Sequence, residues 1–123
     1  WTGAIDRCPC GTGRSFSDCC GPILSTDRLA ETAEELMRSR YTAYIIGNLE
    51  HLWRTWDGRT RPDHIPPGDV QWTRLEIREV VDGGPEDDTG IVDFLARHTE
   101  GVHVERSQFT RRGGRWFYTG DVS

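Results

Sequence analysis

The chain has 123 residues, which is enough for one domain or for one domain with a small appendage. Its formal net charge is -5, and this acidic balance argues against nucleic-acid binding, which needs a basic surface. No stretch approaches the roughly 18 consecutive apolar residues of a membrane-spanning helix. No signal-peptide pattern is visible either. We therefore expect a cytoplasmic protein without a membrane partner.

The four cysteines lie close to the start of the chain, as the pairs Cys8 with Cys10 and Cys19 with Cys20. Two thiolate pairs can supply the four corners of a tetrahedron around zinc, and glycines between the pairs let the backbone turn beneath the metal. Disulfides and free thiols are the alternatives, but disulfides need an oxidising compartment and adjacent cysteines pair only with strain. The spacing favours a structural zinc site, with no open ligand position for catalysis.

Helical patterning begins after the cysteines. Thr32 and Glu35 form a capping box, and apolar residues then recur at spacings of three and four as far as Ile45. Gly47 suits the position just past a helix end, and Asn48 can cap a short second helix. We therefore predict a long helix followed directly by a short one.

From residue 70 onward the pattern changes to the alternation of strands. The first strand contains a phase slip after Trp72, which predicts a β-bulge. The acidic, glycine-rich segment 82–90 predicts a long turn. Three further strands are expected at 91–99, 102–110 and 115–119. Helices followed by hairpin-linked strands indicate an α+β fold, with the long helix in the concavity of a curved antiparallel sheet.

Four stretches of the sequence resemble those of known families. Residues 8–20 resemble the SEC-C motif, a zinc-binding module also found at the tail of the protein-export ATPase SecA. Residues 33–44 resemble the signature helix of the bacterial YchJ family, and residues 105–109 and 114–118 are similar to its C-terminal strands. The resemblance implies a nuclear-transport-factor-2-like (cystatin-like) cone after the zinc module. The biochemical role of the family is not established, so the resemblance implies no activity.

Two unequal parts are thus predicted, a SEC-C-like zinc-binding module at residues 1–24 and a nuclear-transport-factor-2-like α+β domain at residues 25–123. The chain also departs from the family pattern. The family usually has His directly before Glu-Arg-Ser, whereas this chain has Val104 there and His103 one residue earlier, on the opposite sheet face. After the Trp of the second helix the family usually has His-Pro, whereas this chain has Asp57 and a glycine.

Polar candidates for a pocket come from the long helix and the third strand. Arg38 and Arg40 project about 200° apart on a helix, so only one of them can face the cone. Glu105 shares a strand face with Ser107 and Phe109, which points it inward. Because a buried carboxylate needs a cation or donors, we expect Glu105 to pair with one of the arginines, with the other solvated. The alternative is that Glu105 is a general base in the cone pocket.

Aromatic residues and histidines complete the candidates. The aromatic residues that we expect in the core or the pocket wall are Tyr41, Trp53, Trp56, Trp72 and Trp116. The four histidines do not form a spaced set of metal ligands. We expect His98 at the mouth of the cone and His103 on the Glu105 face, with His51 exposed and His64 in a proline-rich loop.

Two functional hypotheses follow. In the first, the protein is a zinc-stabilised adaptor whose SEC-C module docks another protein and whose cone binds a small molecule or a second copy of the chain. In the second, it is a small enzyme that uses the cone pocket, with Glu105 and an arginine as the polar pair. The fold permits both. A closed cone filled by aromatic residues favours the adaptor, whereas an open cavity with an unpaired Glu105 favours the enzyme.

Overall fold

The structure is a computed structural model that describes residues 7–63, 65 and 71–122. A short 3-10 helix (Phe16–Asp18) and helix α1 (Cys20–Leu24) carry the second cysteine pair. Two further helices follow, α2 (Ala33–Ile46) and α3 (Leu49–Arg54). The strands are β1 (Trp72–Asp82), β2 (Thr89–His98), β3 (Gly101–Arg112) and β4 (Arg115–Asp121). Among the described residues, no helix has the length and hydropathy needed to cross a membrane.

The ends of α2 and α3 are set by the residues that the sequence indicates. The Thr32 hydroxyl accepts a hydrogen bond from the Glu35 amide at 3.1 Å, which satisfies one of the free donors of the first turn. Gly47 takes a left-handed conformation (φ 78°) that ends α2, a position where a side chain would be strained. The Asn48 side chain then accepts from the His51 amide and starts α3. The predicted long and short helices are confirmed.

The four strands form one antiparallel sheet in the order β1-β2-β3-β4, which confirms the α+β prediction. The predicted bulge is present, since the register shifts between Trp72 and Arg74. Two further shifts, at Ile77/Glu79 in β1 and at Gln108/Phe109 in β3, were not predicted. Bulges bend a sheet and increase its twist, so they help to curve it around α2. The buried residues of its concave face include Val92, Phe94, Ala96 and Phe109.

The start of α2 lies very close to the turn between β1 and β2. The Ala33 amide donates to the Gly83 carbonyl at 2.9 Å, and Ala33 is fully buried. A Cβ atom on Gly83 would lie 2.8 Å from the Ala33 Cβ, which is closer than such atoms approach. Gly83 also has φ 76°, so both space and backbone conformation require glycine there. This contact fixes where α2 enters the concavity.

The cysteine segment and the rest of the fold share one buried cluster. Ile23 and Leu24 of α1 belong to the same cluster as Leu36 of α2 and Leu52 of α3. The predicted boundary after residue 24 therefore crosses a continuous core, and the separate stability of the two parts stays a prediction.

The close approach at the β1–β2 turn generates a testable prediction for Gly90→Ala. The new Cβ would clash with the Gly83 Cα and lie 2.8 Å from the Gly83 amide nitrogen. Because the backbone must move to relieve this clash, we expect Gly90→Ala to lower the free energy of unfolding by about 1–3 kcal/mol. Gly58→Ala is the matched control, since its Cβ would meet only the end of the Arg61 side chain, at 3.7 Å. Urea unfolding measures both, and an unchanged midpoint for Gly90→Ala would contradict this packing.

Candidate functional site

The four cysteine sulphurs form a buried cluster. All four Sγ atoms lie within 4.8 Å of one another, and the thiols are free. The Sγ atoms of Cys10 and Cys19 are 3.6 Å apart, and those of Cys19 and Cys20 are 4.0 Å apart. Around a tetrahedral zinc with Zn–S bonds of about 2.3 Å, sulphurs are about 3.8 Å apart. The cluster therefore has the size of a tetrahedral metal site.

Local backbone geometry brings the two pairs together. Gly11 and Gly13 have φ 89° and 84°, values that side chains rarely adopt, and they turn the chain after the first pair. The Cys8 amide donates to the Arg14 carbonyl at 2.8 Å, which closes this turn. The short 3-10 helix then presents the second pair to the first.

Polar groups from α2 and from the turn surround the sulphurs. The Thr42 hydroxyl lies 3.4 Å from the Cys20 sulphur, and an Arg14 guanidinium nitrogen lies 3.8 Å from the Cys19 sulphur. Arg38 donates from Nη1 to the Cys10 carbonyl at 2.6 Å and from Nε to Glu34 at 2.9 Å. The expected place of Arg38, solvated or facing Glu105, is therefore wrong, because the turn of the helix directs it to the cysteine segment.

The pKa values of the cysteines show why this cluster needs a cation. Hydrogen bonds with Cys10 and Cys8, followed by burial, raise the pKa of Cys20. Hydrogen bonds from Cys10 and Cys20 lower the pKa of Cys8. The Cys8 thiolate is thus stabilised by hydrogen bonds from neighbouring thiols that keep their protons. Ionisation of all four thiols needs a positive counter-charge. A divalent metal would supply that charge and replace the protons.

A second candidate site is a cavity of about 300 Å³ between α2 and the concave face of the sheet. Its wall is mainly apolar and aromatic, with a few polar side chains. It contains the predicted Arg40, Tyr41, Trp56, Trp72, Glu105 and Ser107, and also His103, which was expected on the Glu105 face. Sequence reasoning had not assigned Met37, Tyr44, Phe94, Ala96 or Tyr118 to a pocket. Their helical or strand spacing identifies an inward face, but it does not show that the space beside that face is empty.

Glu105 is largely buried in this cavity wall, with 14% of its side chain exposed. It accepts hydrogen bonds from the Tyr118 hydroxyl at 2.7 Å, from the Ser107 hydroxyl, and from His103 Nε2 at 3.0 Å. Among the described residues, no arginine lies within ion-pair distance of its carboxylate. The predicted ion pair with Arg38 or Arg40 is wrong, since neutral donors on the same sheet satisfy the carboxylate.

Arg40 is buried against α3 and two aromatic rings. Its Nη1 donates to the Leu52 carbonyl and to the Thr55 hydroxyl, both at 2.8 Å. Its Cζ lies 4.6 Å from the centre of the Tyr118 ring and 5.3 Å from that of Trp56. Burial lowers the pKa of Arg40 to about 10, so the group keeps its charge at neutral pH. One carbonyl oxygen, one hydroxyl and two ring faces stabilise this cation.

Besides Arg38, three predicted candidates lie outside the cavity wall. Trp53 is 38% exposed, and its indole nitrogen donates to the Pro62 carbonyl. Trp116 is buried elsewhere and donates to the Glu31 carbonyl at 3.2 Å. The His98 ring packs edge-on against Trp72, with ring centres 5.0 Å apart, and therefore contacts the wall without being part of it.

His51 is buried rather than exposed as predicted, and its Nε2 lies 3.0 Å from the Ser39 hydroxyl. The Ser39–His51 pair resembles a serine nucleophile with its histidine base. A base, however, would accept a hydrogen bond from the serine, whereas here the histidine donates to it. Arg54 can only donate, so His51 Nδ1 is the acceptor at 3.2 Å, and Nε2 carries the proton. The Ser39 hydroxyl in turn donates to the Leu36 carbonyl. The pair is structural, and burial lowers the pKa of His51 to about 3. The predicted loop position of His64 lies outside the described residues.

The hydrogen bonds of Glu105 generate a double-mutant prediction. Glu105→Gln and Tyr118→Phe should each lower the free energy of unfolding by about 1–3 kcal/mol, because each leaves a partner unsatisfied. Combined, they should show a coupling energy of about 1 kcal/mol. The control pair, Glu105→Gln with Arg38→Met, should be additive. Thermal melts of the variants measure this, and strong coupling to Arg38 would restore the ion-pair hypothesis.

Comparisons with known proteins agree with this architecture. The family model of the middle, nuclear-transport-factor-2-like domain of YchJ matches residues 32–120, and the SEC-C motif matches residues 6–22. A UPF0225 protein of Corynebacterium glutamicum is 46% identical over 121 residues, which are 94% of this chain and 97% of the relative. A UPF0225 protein of Streptomyces coelicolor is 45% identical over 90% of each chain.

Solved structures show the same fold. The solution structure of a SEC-C motif containing protein from Rhodopseudomonas palustris has a TM-score of 0.81 and 34% identity, and the match covers 92% of this chain and 94% of that one. The crystal structure of a SEC-C motif containing protein from Psychrobacter arcticus has a TM-score of 0.80 at 23% identity, over 97% and 83% of the two chains. The chain therefore belongs to the YchJ (UPF0225) family, with a SEC-C motif ahead of a nuclear-transport-factor-2-like domain.

Proposed function

We propose that the protein is a zinc-stabilised ligand-binding protein, in which the cysteine cluster holds one structural zinc and the cone binds a small molecule. The observation that carries this proposal is the cavity itself, which lies open between α2 and the sheet. Its volume of about 300 Å³ is at the lower end of the range for ligand pockets.

The metal part of the proposal rests on the chemistry of the ligands. The SEC-C motif and four clustered, buried cysteines indicate metal binding. Four thiolates in a tetrahedron suit zinc or iron, and zinc is the usual metal of a closed structural site. Because all four positions belong to the protein, the metal would hold the segment in place and bind no substrate.

The composition of the cavity wall supports ligand binding by the cone. Rings such as Trp72, Tyr41 and Phe94 supply a large apolar surface, and a few polar groups can fix the orientation of a ligand. By the criterion set from the sequence, an open cavity together with an unpaired Glu105 would favour the enzyme, and the first of these two features is present. Glu105, however, is not unpaired, since both carboxylate oxygens already accept hydrogen bonds. Three hydrogen bonds already occupy most of its lone pairs, so the geometry supports binding over general-base catalysis.

Three expectations from the sequence stay predictions. Docking of another protein by the zinc module would use its outward surface, where Arg14, Ser17 and Asp18 are exposed. Association with a second copy of the chain also stays a prediction, as does a cytoplasmic location.

For the metal, we expect one zinc per chain in protein purified under reducing conditions. Cys20→Ser should lose it, whereas Ser17→Ala, an exposed change in the same segment, should retain it. Elemental analysis and thiol counting measure this. A chelator should loosen residues 7–24 and preserve the sheet, because the segment is too short to bury its own core. Metal-free protein with two disulfides, purified under those conditions, would contradict the zinc site.

For the cone, we expect a small neutral aromatic probe, indole, to bind and to shift the NMR signals of Trp72 and Tyr41. Tyr44→Ala should weaken binding by roughly fivefold, because it removes one aromatic contact at the edge of the cavity. Ile46→Ala is the matched control, since Ile46 is equally exposed (39%) on the same helix and outside the cavity wall. Equal effects of both changes, or no binding, would contradict a ligand pocket here.

A further inference from the structure

We infer that the cone selects a small monocarboxylate with an apolar body, whose carboxylate is held by Arg40 and the indole N–H of Trp56. This inference rests on the proposed ligand-binding function and names the class of ligand. Both residues are in the cavity wall. The Trp56 indole N–H, and the Nε and Nη2 groups of Arg40, have no hydrogen-bond acceptor within the described part of the chain.

Arg40 has hydrogen-bonding capacity that its neighbours leave unused. The two N–H groups of Nη1 are taken by the Leu52 carbonyl and the Thr55 hydroxyl. Nε and Nη2 make no hydrogen bond with any residue that the structure describes. These two nitrogens form one side of the planar guanidinium, and their parallel N–H groups match the two oxygens of a carboxylate.

Trp56 provides a second unused donor beside the first. Its Nε1 is buried and has no acceptor among the residues that the structure describes. An indole nitrogen only donates, and a buried donor without a partner costs free energy that a bound acceptor would restore. The Trp56 ring centre is 5.3 Å from the Arg40 Cζ, so the indole and the guanidinium that carry the two donors are neighbours in the same wall.

The negative charge of Glu105 repels an anionic ligand, and the hydrogen bonds that Glu105 accepts reduce this repulsion. Tyr118, Ser107 and His103 donate to its two oxygens, so the carboxylate does not engage Arg40. Arg40 is then a buried cation with no carboxylate at ion-pair distance among the described residues. One incoming carboxylate would balance this charge. A dianion such as a phosphate ester is disfavoured, because Glu105 already places a negative charge in the same cavity.

The rest of the wall suits an apolar body. Met37, Phe94, Ala96 and Trp72 line the cavity together with Tyr41. An aromatic wall with a carboxylate also suits an organic cation, which is the main competing class. Arg40 disfavours such a ligand, because its own positive charge is fixed in the same wall and has no carboxylate at ion-pair distance among the described residues.

The test compares three probes that share one aromatic body: phenylacetate, its neutral amide phenylacetamide, and the cation phenethylamine. Titration calorimetry at neutral pH measures their affinities for the full chain. We expect phenylacetate to bind roughly tenfold more tightly than the amide and phenethylamine to bind most weakly.

Trp56→Phe removes the N–H and keeps the ring, so it should lower the phenylacetate affinity roughly fivefold and leave indole binding largely unchanged. Trp53→Phe is the matched control, because Trp53 lies outside the cavity wall. These two variants leave Arg40 unchanged. Because Arg40 is buried, substitutions of Arg40 itself could prevent folding.

Each outcome decides the inference. Tighter binding of phenylacetate that depends on Trp56 supports it. Equal or tighter binding of the amide or of phenethylamine overturns it, and so does a Trp56→Phe variant that keeps the full phenylacetate affinity. In these cases the proposed ligand-binding function stands if indole still binds. If indole and all three probes fail to bind, both the inference and the proposed function fall.

Discussion

Helix α2 is buried from two sides, and the positions of both sites depend on this burial. Arg38 and Thr42 lie four residues apart, on the face that meets the cysteine segment. Met37 and Tyr41, also four residues apart, lie on the face that meets the cavity. A shift or rotation of α2 would therefore change the metal site and the pocket together. The contact of Ala33 with the β1–β2 turn fixes the start of the helix between them.

The two opposite charges of the cone are kept apart by Tyr118. Its hydroxyl donates to Glu105, while its ring faces the Arg40 guanidinium. Burial, followed by the hydrogen bond to Glu105, raises the pKa of Tyr118, so the phenol stays a donor at neutral pH. Each charge is thus satisfied by neutral groups, which avoids a direct ion pair in the interior. The consequence is a cavity that retains an arginine able to meet an external acceptor.

The residues at which this chain departs from the family pattern have defined places in the structure. His103 faces the cavity and contacts Glu105, whereas Val104 is 47% exposed on the opposite face. Asp57 is buried and accepts from Arg112 at 2.8 Å and from Arg59 at 3.4 Å. Its amide also donates to the Tyr118 carbonyl, so this residue ties the end of α3 to the sheet. Val104 thus takes an exposed position, whereas Asp57 forms a buried ion pair.

The sequence by itself determined the local structure. Capping residues, periodicity and the Cys spacing predicted α2, α3, the strands, one bulge and the metal ligands, because each depends on neighbours within a few residues. The tertiary structure decided the partners of the long polar side chains. Arg38 bonds to Cys10, 28 residues away, and Arg40 bonds to α3, 12 residues away, rather than to Glu105. A flexible arginine can reach several partners, and only the packing of α2, α3 and the sheet selects one. The same packing left the cavity open and buried His51, which no local pattern encodes.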